Sequence, residues 1–105
     1  RLPLWLSPTQ VVIATIISET NDYAERVLKI FRENNIRAEI DIRNEKIGYK
    51  IREHSNAKIP VLIIIGKQEA EKEELSVRRL GSTNTETGSI EKIIESLKLE
   101  ASAPQ

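Results

Sequence analysis

Five basic side chains lie close together in the middle of this 105-residue sequence. They fall within residues 43–58, where only two acidic residues, Glu45 and Glu53, oppose them. The basic residues are Arg43, Lys46, Lys50, Arg52 and Lys58. Guanidinium and ammonium groups in such a cluster are typical of sites that hold phosphates or other anions. The segment is therefore a candidate anion-binding site.

The place of this cluster in the predicted fold strengthens the case. Residues 37–42 alternate as a strand does, and Asn44 can cap a helix that follows. Cations at the amino end of a helix oppose the macrodipole by about 0.3–1 kcal/mol, whereas an arriving phosphate gains from the free N–H groups. Arg43 and Lys46 are such cations. The same charges also suit a solvated helix face, with Glu45 neutralising Lys46, and the residues alone leave both interpretations open.

Four further side chains have chemistry that suits a binding site. Tyr49 can stack a base, and Glu69, which follows a predicted strand, can accept hydrogen bonds from a base edge. Arg78 alternates with Val77 on another predicted strand. Each has a structural alternative: a tyrosine that anchors its helix, a solubilising loop glutamate, and an edge charge. His54 shares the apolar stripe of its helix and is predicted to be a hydrogen-bonded structural histidine.

Composition excludes several classes of protein. The absence of cysteine rules out disulfides, thiolate zinc sites and a cysteine nucleophile, and a single histidine makes a transition-metal site unfavourable. Sixteen basic residues balance sixteen acidic ones, so nucleic-acid binding requires a local patch. No run approaches the roughly 20 apolar residues of a membrane helix. Because the chain begins with Arg1 and shows no signal peptide, we expect a domain from a longer cytoplasmic protein.

The remaining sequence predicts the elements that position these residues. Short, β-branched or alternating runs predict strands, and apolar residues three and four apart predict helices. The predicted strands are 11–17, 37–42, 59–66 and 75–80. The predicted helices are 22–34, one that Asn44 caps, and one that Ser89 caps, while 67–74 is predicted as a turn and 81–88 as a loop.

Helical crossovers between the first three strands require those strands to be parallel. The fold class is therefore α/β: a three-layer sandwich with a mixed, mostly parallel sheet of four to five strands and three helices. The predicted organisation is an ordered lead-in over residues 1–9, a domain over 10–100 and a flexible tail over 101–105. We expect the last segment to fray.

Common enzymes of this fold class do not fit. A thioredoxin-like oxidoreductase needs a cysteine pair, and a dinucleotide-binding domain needs a Gly-rich turn where Ser18-Glu19-Thr20 stands. A phosphoacceptor receiver domain needs an aspartate where Gly66 closes the third predicted strand. These exclusions favour a binding module over a complete enzyme as the function of this sequence.

Two motifs then point to a family. Residues 41–54, DIRNEKIGYKIREH, closely resemble the D-x-R-N-E-K-x-G-[FY]-K-I-R-E-H signature of the C-terminal anticodon-binding domain of threonyl-tRNA synthetases. Residues 5–11, WLSPTQV, resemble the W-L-[AS]-P-x-Q-V segment that leads into that domain. The resemblance spans residues 4–99. The related prolyl, histidyl and glycyl enzymes share the fold with a looser version of the signature.

The resemblance implies recognition of the anticodon of threonine tRNA, chiefly its middle guanine and last uracil. The matching positions imply anticodon contacts at Asn44, Lys46, Arg52, Glu69 and Arg78, with further RNA contacts at Arg43, Tyr49, Lys50 and Lys58. It implies no catalytic residue, metal or cofactor in this domain. It also implies a cytoplasmic parent enzyme that attaches threonine to tRNA with ATP, magnesium and zinc, and that dimerises through its catalytic domain.

One departure concerns the turn before the fourth predicted strand. The family often has a glycine there, whereas this chain has Glu71-Lys72-Glu73-Glu74, which also brings negative charge near the expected RNA face. Two alternatives to the threonyl assignment stay open. They are the anticodon-binding domain of a prolyl or histidyl enzyme, and a stand-alone protein-interaction domain of the same fold.

Overall fold

The first apolar run of the sequence forms an inner strand of a five-stranded sheet with the order β2-β1-β3-β4-β5. The computed structural model describes residues 3–102. Within them the elements are β1 (Val11–Thr15), α1 (Asn21–Glu33), β2 (Ala38–Asp41), α2 (Ile47–Asn56), β3 (Val61–Ile65), α3 (Lys67–Lys72), β4 (Glu74–Arg79), β5 (Thr85–Ser89) and α4 (Ile90–Ala101). β1 pairs in parallel with β2 and β3, and only β4 runs in the opposite direction. The α/β class with a mixed, mostly parallel sheet is confirmed.

The two faces of the sheet are covered by different helices. α1 and α4 pack on the face of Val11 and Ile13, where Phe31 and Leu97 are fully buried in the main core. α2 lies on the other face, above Val12 and Ala14. Because successive side chains of a strand point to opposite faces, the unbroken apolar run of β1 serves both layers. The predicted three-layer arrangement follows from that run.

Two elements differ from the predicted ones. Residues 67–72, predicted as a turn, form α3, and its N-cap N–H, that of Gly66, donates a hydrogen bond to the Glu69 carboxylate at 2.8 Å. Residues 85–89, predicted as part of a loop, form β5 at the sheet edge. Its polar residues are mostly exposed, so they lack the apolar alternation that identifies a strand. Residues 3–102 thus contain a fourth, short α-helix and a fifth strand.

The predicted helix ends were correct in part. The Ser89 hydroxyl accepts a hydrogen bond from the Lys92 N–H at 3.2 Å, which confirms Ser89 as the cap of α4. Asn35 adopts a left-handed conformation directly after α1, with φ of 61°, which suits the helix end predicted at residue 34. The prediction that Asn44 caps α2 was wrong, because the helix begins later and Lys46 occupies the cap position.

Gln10 ties together the two ends of the described chain. Its fully buried amide donates hydrogen bonds to the Leu4 and Ala101 carbonyls, both at 3.1 Å, and accepts one from the Arg37 N–H at 2.8 Å. Ala101 is therefore a buried residue of α4, and the prediction that the flexible tail begins there was wrong. The rest of that predicted tail, residues 103–105, and residues 1–2 of the predicted lead-in lie outside the described residues.

No helix in residues 3–102 combines the length and apolar character needed to cross a bilayer.

Candidate nucleic-acid interface

One half of the sheet is left open on the α2 face. On this face α2 packs over β1 and α3 contacts β4, where Ser76 donates to Glu69, so among the described residues the part without a helix above it is β5 and the neighbouring end of β4 that carries Arg78. Directly paired residues share a face. The strand register therefore places Ser76 beside Thr87, and Arg78 beside Thr85, on this face, where Ser76 is buried and the two threonines are exposed. The surface lies between α2 and the outer edge of the sheet.

Two arginines at this surface are free to bind a ligand. Residues 3–102 contain seven arginines, and five of them donate hydrogen bonds to carboxylates or carbonyls of the chain; these are Arg26, Arg32, Arg37, Arg43 and Arg79. Within the same residues, Arg52 and Arg78 have no side-chain hydrogen bond or ion pair. The family resemblance implies that both arginines contact the anticodon. Their guanidinium donors remain available for phosphate or base edges.

The position of Arg78 follows from the pairing of β3 with β4. It lies opposite Leu62, and both residues line a shallow hollow together with Ser55 of α2. Arg52 precedes Ser55 by three residues, so it lies on the same side of α2, one turn earlier. One free guanidinium group thus lies on β4, and the other lies on the exposed side of α2.

Glu69 is held in place by two hydrogen bonds. One carboxylate oxygen accepts from the Gly66 N–H at 2.8 Å, and the other accepts from the Ser76 hydroxyl at 2.9 Å. The Ser76 and Thr87 hydroxyls are 3.1 Å apart. Because a carboxylate only accepts hydrogen bonds, the Ser76 hydroxyl donates its single proton to Glu69, and the Thr87 hydroxyl therefore donates to Ser76. The second lone pairs of the Glu69 oxygens remain able to accept from a base edge.

Asn44 and Lys46 are exposed in the loop between β2 and α2. Within residues 3–102 neither side chain makes a hydrogen bond or ion pair. The amide of Asn44 presents both a donor and an acceptor, and the Lys46 ammonium group can reach a phosphate. This loop and Glu69 lie at the carboxyl ends of β2 and β3, where ligands of open α/β sheets bind.

Arg43, in the same loop, is engaged internally. It donates to both carboxylate oxygens of Asp41, at 2.9 and 2.8 Å, and also to Glu53, while it stacks 5.8 Å from the centre of the Tyr49 ring. These bonds hold the pKa of Asp41 well below its ordinary value and raise the pKa of Arg43. The loop is therefore pinned to α2 on the side away from Arg78.

Tyr49 belongs to the same network. Its hydroxyl donates to Glu53 at 3.0 Å, and this hydrogen bond raises the pKa of Tyr49. An RNA contact at Arg43 or Tyr49 stays a prediction, since both side chains are partly exposed. The sequence suggested that the positive charge of Arg43 opposes the macrodipole of α2. In the structure the carboxylates of Asp41 and Glu53 compensate that charge.

His54 Nε2 lies 2.7 Å from Asp41 Oδ2, which confirms the prediction of a hydrogen-bonded structural histidine. Among the described residues, Asp41, Glu53 and His54 form the one group of side chains close enough to share a metal ion. The Arg43 guanidinium group already bonds to both carboxylates, so a cation does not fit there. This cluster is a structural network rather than a metal site.

Lys50 cannot contact RNA in this structure. Its side chain is 1% exposed, and its ammonium group donates to the Thr15 carbonyl at 2.8 Å and the Asp41 carbonyl at 3.2 Å. Burial lowers the pKa of Lys50. The prediction of an RNA contact was wrong because helical spacing places this residue on the sheet-facing side of α2, with Ile47 and Ile51.

Lys58 lies apart from the other predicted residues. It follows α2 in a left-handed conformation, with φ of 63°, and lines a hollow with Pro8 and Pro60. Pro60 directly precedes β3, so this is the opposite end of the sheet from Asn44 and Glu69. An RNA contact at Lys58 therefore stays a prediction, at the end of the sheet away from the other candidate residues. The other predicted contacts run from the carboxyl edge down the open face, because Arg78 pairs with Leu62 near the beginning of β3.

Sequence reasoning missed Ser76 and Thr87. Ser76 was within reach, since it lies two residues before Arg78 on an alternating strand and hence on the same face. Thr87 carried no such signal, because β5 was not predicted. The acidic turn, residues 71–74, was expected to bring negative charge near the RNA face. One of its carboxylates, that of Glu73, points away from this surface, because it pairs with Arg26 of α1 at 2.6 Å on the opposite side of the sheet.

Comparisons with known proteins identify the family and the fold. The family described as "Anticodon binding domain" matches residues 10–100. The threonine–tRNA ligase of Paramagnetospirillum magneticum is 50% identical over 104 residues, which cover 99% of this chain and 16% of that protein. The chain thus spans about a sixth of the length of this relative.

Two solved structures share the fold. The RNA-binding domain of threonyl-tRNA synthetase from Cryptosporidium parvum Iowa II aligns with a TM-score of 0.90 and 25% identity, over 94% of this chain and 25% of that one. Histidyl-tRNA synthetase from Nostoc sp. PCC 7120 aligns with a TM-score of 0.83 and 20% identity, over 91% of this chain and 23% of that one. The match across nearly the whole domain shows that the chain belongs to the anticodon-binding domain family.

Proposed function

We propose that this chain is the anticodon-binding domain of a threonyl-tRNA synthetase and that it recognises the anticodon loop of threonine tRNA. The observation that carries the proposal is that Arg78, on the β4–β5 face, and Arg52, on the exposed side of α2, are the two arginines of residues 3–102 without internal partners. Identity of 50% to a threonine–tRNA ligase supports the threonyl assignment. The histidyl enzyme, at 20% identity, supports the fold alone.

Each proposed contact has a suitable chemical role. Lys46, Arg52 and Arg78 donate to phosphates or base acceptors, and Asn44 offers a donor and an acceptor to a base edge. Glu69 accepts from guanine N1–H and N2–H. The bases of a single-stranded loop present these edges once they are splayed from their stack. The site therefore suits base reading in a loop better than binding to a duplex.

The chemistry of the longer protein would lie outside this chain. By its similarity to threonine–tRNA ligases, the parent would join threonine to tRNA in the cytoplasm with ATP and magnesium, hold zinc in its catalytic part and dimerise through that part. This chain would supply anticodon recognition only. A stand-alone protein-interaction role is disfavoured because Asn44, Lys46, Arg52, Glu69 and Arg78 match the positions that the family resemblance assigns to anticodon contacts.

Binding to anticodon stem-loops tests the proposal. A stem-loop with guanine in the middle and uracil at the end of the anticodon should bind more tightly than versions with either base changed. Isothermal titration calorimetry gives the affinities, and chemical-shift mapping locates the bound surface. Equal affinity for all the loops would contradict base reading. Shifts confined to the α1–α4 face would contradict the proposed surface.

A further inference from the structure

Lys50 carries a buried charge that none of the proposed RNA contacts uses. It is one of two charged residues buried among the described ones, and the other is Asp41. Within residues 3–102 its ammonium group forms no ion pair and bonds to two backbone carbonyls, those of Thr15 and Asp41. A buried ammonium group without a carboxylate partner costs free energy that an apolar side chain would not. Stability of the fold alone therefore does not account for a lysine at this position.

The bonds of Lys50 close the loop between β2 and α2 at both ends. The ammonium group donates to the carbonyl of Asp41, the last residue of β2, at 3.2 Å. The backbone N–H donates to the carbonyl of Lys46, the N-cap of α2, at 3.1 Å. A third bond, of 2.8 Å to the Thr15 carbonyl, fixes the ammonium group to the end of β1. One residue thus ties the beginning and the end of the loop to the sheet.

The loop has few other attachments to the rest of the domain. All of residues 42–46 are exposed, so no buried side chain packs the loop against the core. Arg43 holds the middle of the loop through Asp41 and Glu53, with a side chain that is 45% exposed. The bonds of Lys50 are charge-assisted and buried, and hydrogen bonds of both kinds are stronger than neutral bonds in water. The ends of the loop therefore depend on Lys50.

Two of the proposed anticodon contacts lie on this loop. The side chains of Asn44 and Lys46 make no hydrogen bond or ion pair within residues 3–102, so the loop backbone sets their positions. Recognition of a base edge needs donors and acceptors placed to within about 0.5 Å. A loop that becomes ordered only during binding also lowers the affinity. A loop that is held before RNA arrives avoids both losses.

We propose that Lys50 is a positioning residue for anticodon recognition, which holds residues 42–46 in the conformation that presents Asn44 and Lys46 to RNA. It acts through the loop backbone and does not touch RNA. A lysine suits this task because its long side chain reaches from α2 to two strands and its three N–H donors serve both carbonyls. The inference rests on the proposed anticodon function and adds a residue to it that makes no contact with the ligand.

Lys50→Met tests the inference, because it keeps most of the side-chain volume and removes the donors. The variant should remain folded in thermal unfolding, as expected when an apolar residue replaces a buried charge. In the free domain, amide hydrogen exchange of residues 42–46 should become faster, while exchange in β3 should not. Binding of the cognate stem-loop should weaken about 10-fold in calorimetric titration, since the loop must then be ordered during binding.

A mutant cycle separates positioning from a general effect on the domain. Asn44→Ala combined with Lys46→Ala removes the contacts through which Lys50 is proposed to act. In that background, Lys50→Met should cause little further loss of affinity. Lys29→Met is the matched control, because it removes an exposed lysine of α1 on the opposite face and should leave the affinity unchanged.

Chemical rescue supplies a second variant. Lys50→Cys, in a chain with no other cysteine, can be aminoethylated while unfolded and then refolded. The new side chain carries an ammonium group at nearly the same reach, so it should recover both slow loop exchange and affinity. If Lys50→Met does not fold, Lys50→Gln, which keeps a shorter donor, replaces it in the cycle.

Three results would overturn the inference. They are unchanged affinity in a folded Lys50 variant, unchanged exchange of residues 42–46 in that variant, and an undiminished loss of affinity in the Asn44→Ala and Lys46→Ala background. A lack of base preference in binding by wild type would instead overturn the proposed function.

Discussion

Arg78 and Arg79 are adjacent in sequence but lie on opposite faces of β4. Arg79 bonds to both carboxylate oxygens of Glu100 on α4, whereas Arg78 projects on the open face without a partner among residues 3–102. Truncation of Arg78 to alanine should therefore cost about 1–3 kcal/mol of stem-loop binding if it contacts a base. Calorimetric titration of wild type and Arg78→Ala with the cognate loop measures this loss.

Arg79→Ala is the matched control for that variant. It removes the same charge one residue away, so a general electrostatic effect would appear in both variants. Affinity should change little in Arg79→Ala. Equal losses in the two variants would show that Arg78 acts through net charge rather than through contact. A change in salt dependence alone, with base preference intact, would assign Arg78 to a phosphate.

Asp41 makes folding sensitive to acid. Its hydrogen bonds to Arg43 hold its pKa below the ordinary value, so the unfolded chain binds a proton at higher pH than the folded chain does. The stability that Asp41 provides is therefore complete above about pH 5 and is lost progressively as the pH falls below the ordinary value of about 4. Urea unfolding of wild type between pH 5 and pH 2 should show a falling free energy of unfolding.

Asp41→Asn tests this assignment. It should lower the free energy of unfolding by about 2 kcal/mol at pH 7, because hydrogen bonds to charged groups contribute about 1.5–3 kcal/mol. It should also make the decline below pH 5 shallower than in wild type. The control is Glu25→Gln, an exposed carboxylate of α1 with no bond among the described residues. An identical acid slope in wild type and Asp41→Asn would refute the role of Asp41.

At the residue scale, the sequence could identify candidate contacts but not their availability. Arg43, Lys46 and Lys50 look alike in the sequence, as neighbouring cations of one cluster. In the structure carboxylates bind Arg43, Lys46 is free and Lys50 is buried. Helical spacing alone could have placed Lys50 with Ile47 and Ile51 on the inward side. The pairing of Arg43 with Asp41 and Glu53 depends on how the loop returns to α2. That path is set by tertiary packing rather than by local pattern.

At the element scale, strongly patterned segments were predictable and short polar ones were not. β1 and β3 are apolar throughout, and α4 repeats its apolar residues at helical spacing, so their pattern identifies them. α3 has six residues and no buried side chain, and β5 is mostly exposed. Both form because β4 provides tertiary partners, namely its backbone edge for β5 and Ser76 for the α3 residue Glu69.

The turn between α3 and β4 gives an element-scale prediction. Glu73 has φ of 53° and ψ of 47°, a left-handed conformation that costs a residue with a Cβ about 1–2 kcal/mol. A glycine at this place, as the family resemblance led us to expect, removes that cost. Glu73→Gly also removes the exposed pair with Arg26, which contributes about 0.2–1 kcal/mol. The net result should be a gain in unfolding free energy of about 0.5 kcal/mol, measured by urea denaturation.

Two comparisons isolate the backbone effect in this turn. In an Arg26→Ala background the ion pair is already absent, so Glu73→Gly should gain about 1 kcal/mol there. Glu71→Gly places a glycine inside α3 and should instead lose about 1 kcal/mol. A loss of stability on Glu73→Gly in the Arg26→Ala background would mean that Glu73 is not strained.

At the scale of the whole molecule, the balance of charge limits how the domain can attract RNA. Sixteen basic and sixteen acidic residues leave no net field to draw RNA from a distance. Most arginines of the described chain are occupied by acceptors of the chain itself. Attraction therefore depends on the few free cations at the open face, and selectivity depends on base contacts.

This arrangement predicts a weak dependence of binding on salt. Each phosphate contact in single-stranded RNA contributes a slope of about −0.7 to a plot of log affinity against log salt concentration. Three free cations on the candidate surface, Lys46, Arg52 and Arg78, therefore set a slope of roughly −2, and Lys46→Ala should reduce its magnitude by about 0.7 if Lys46 binds a phosphate. Lys67→Ala, an exposed lysine of α3 with an acidic neighbour 4.0 Å away in Glu71, is the control and should leave the slope unchanged. A salt-dependence slope much steeper than −3 would mean that cations other than Lys46, Arg52 and Arg78 bind phosphates. The RNA interface would then extend beyond the candidate surface.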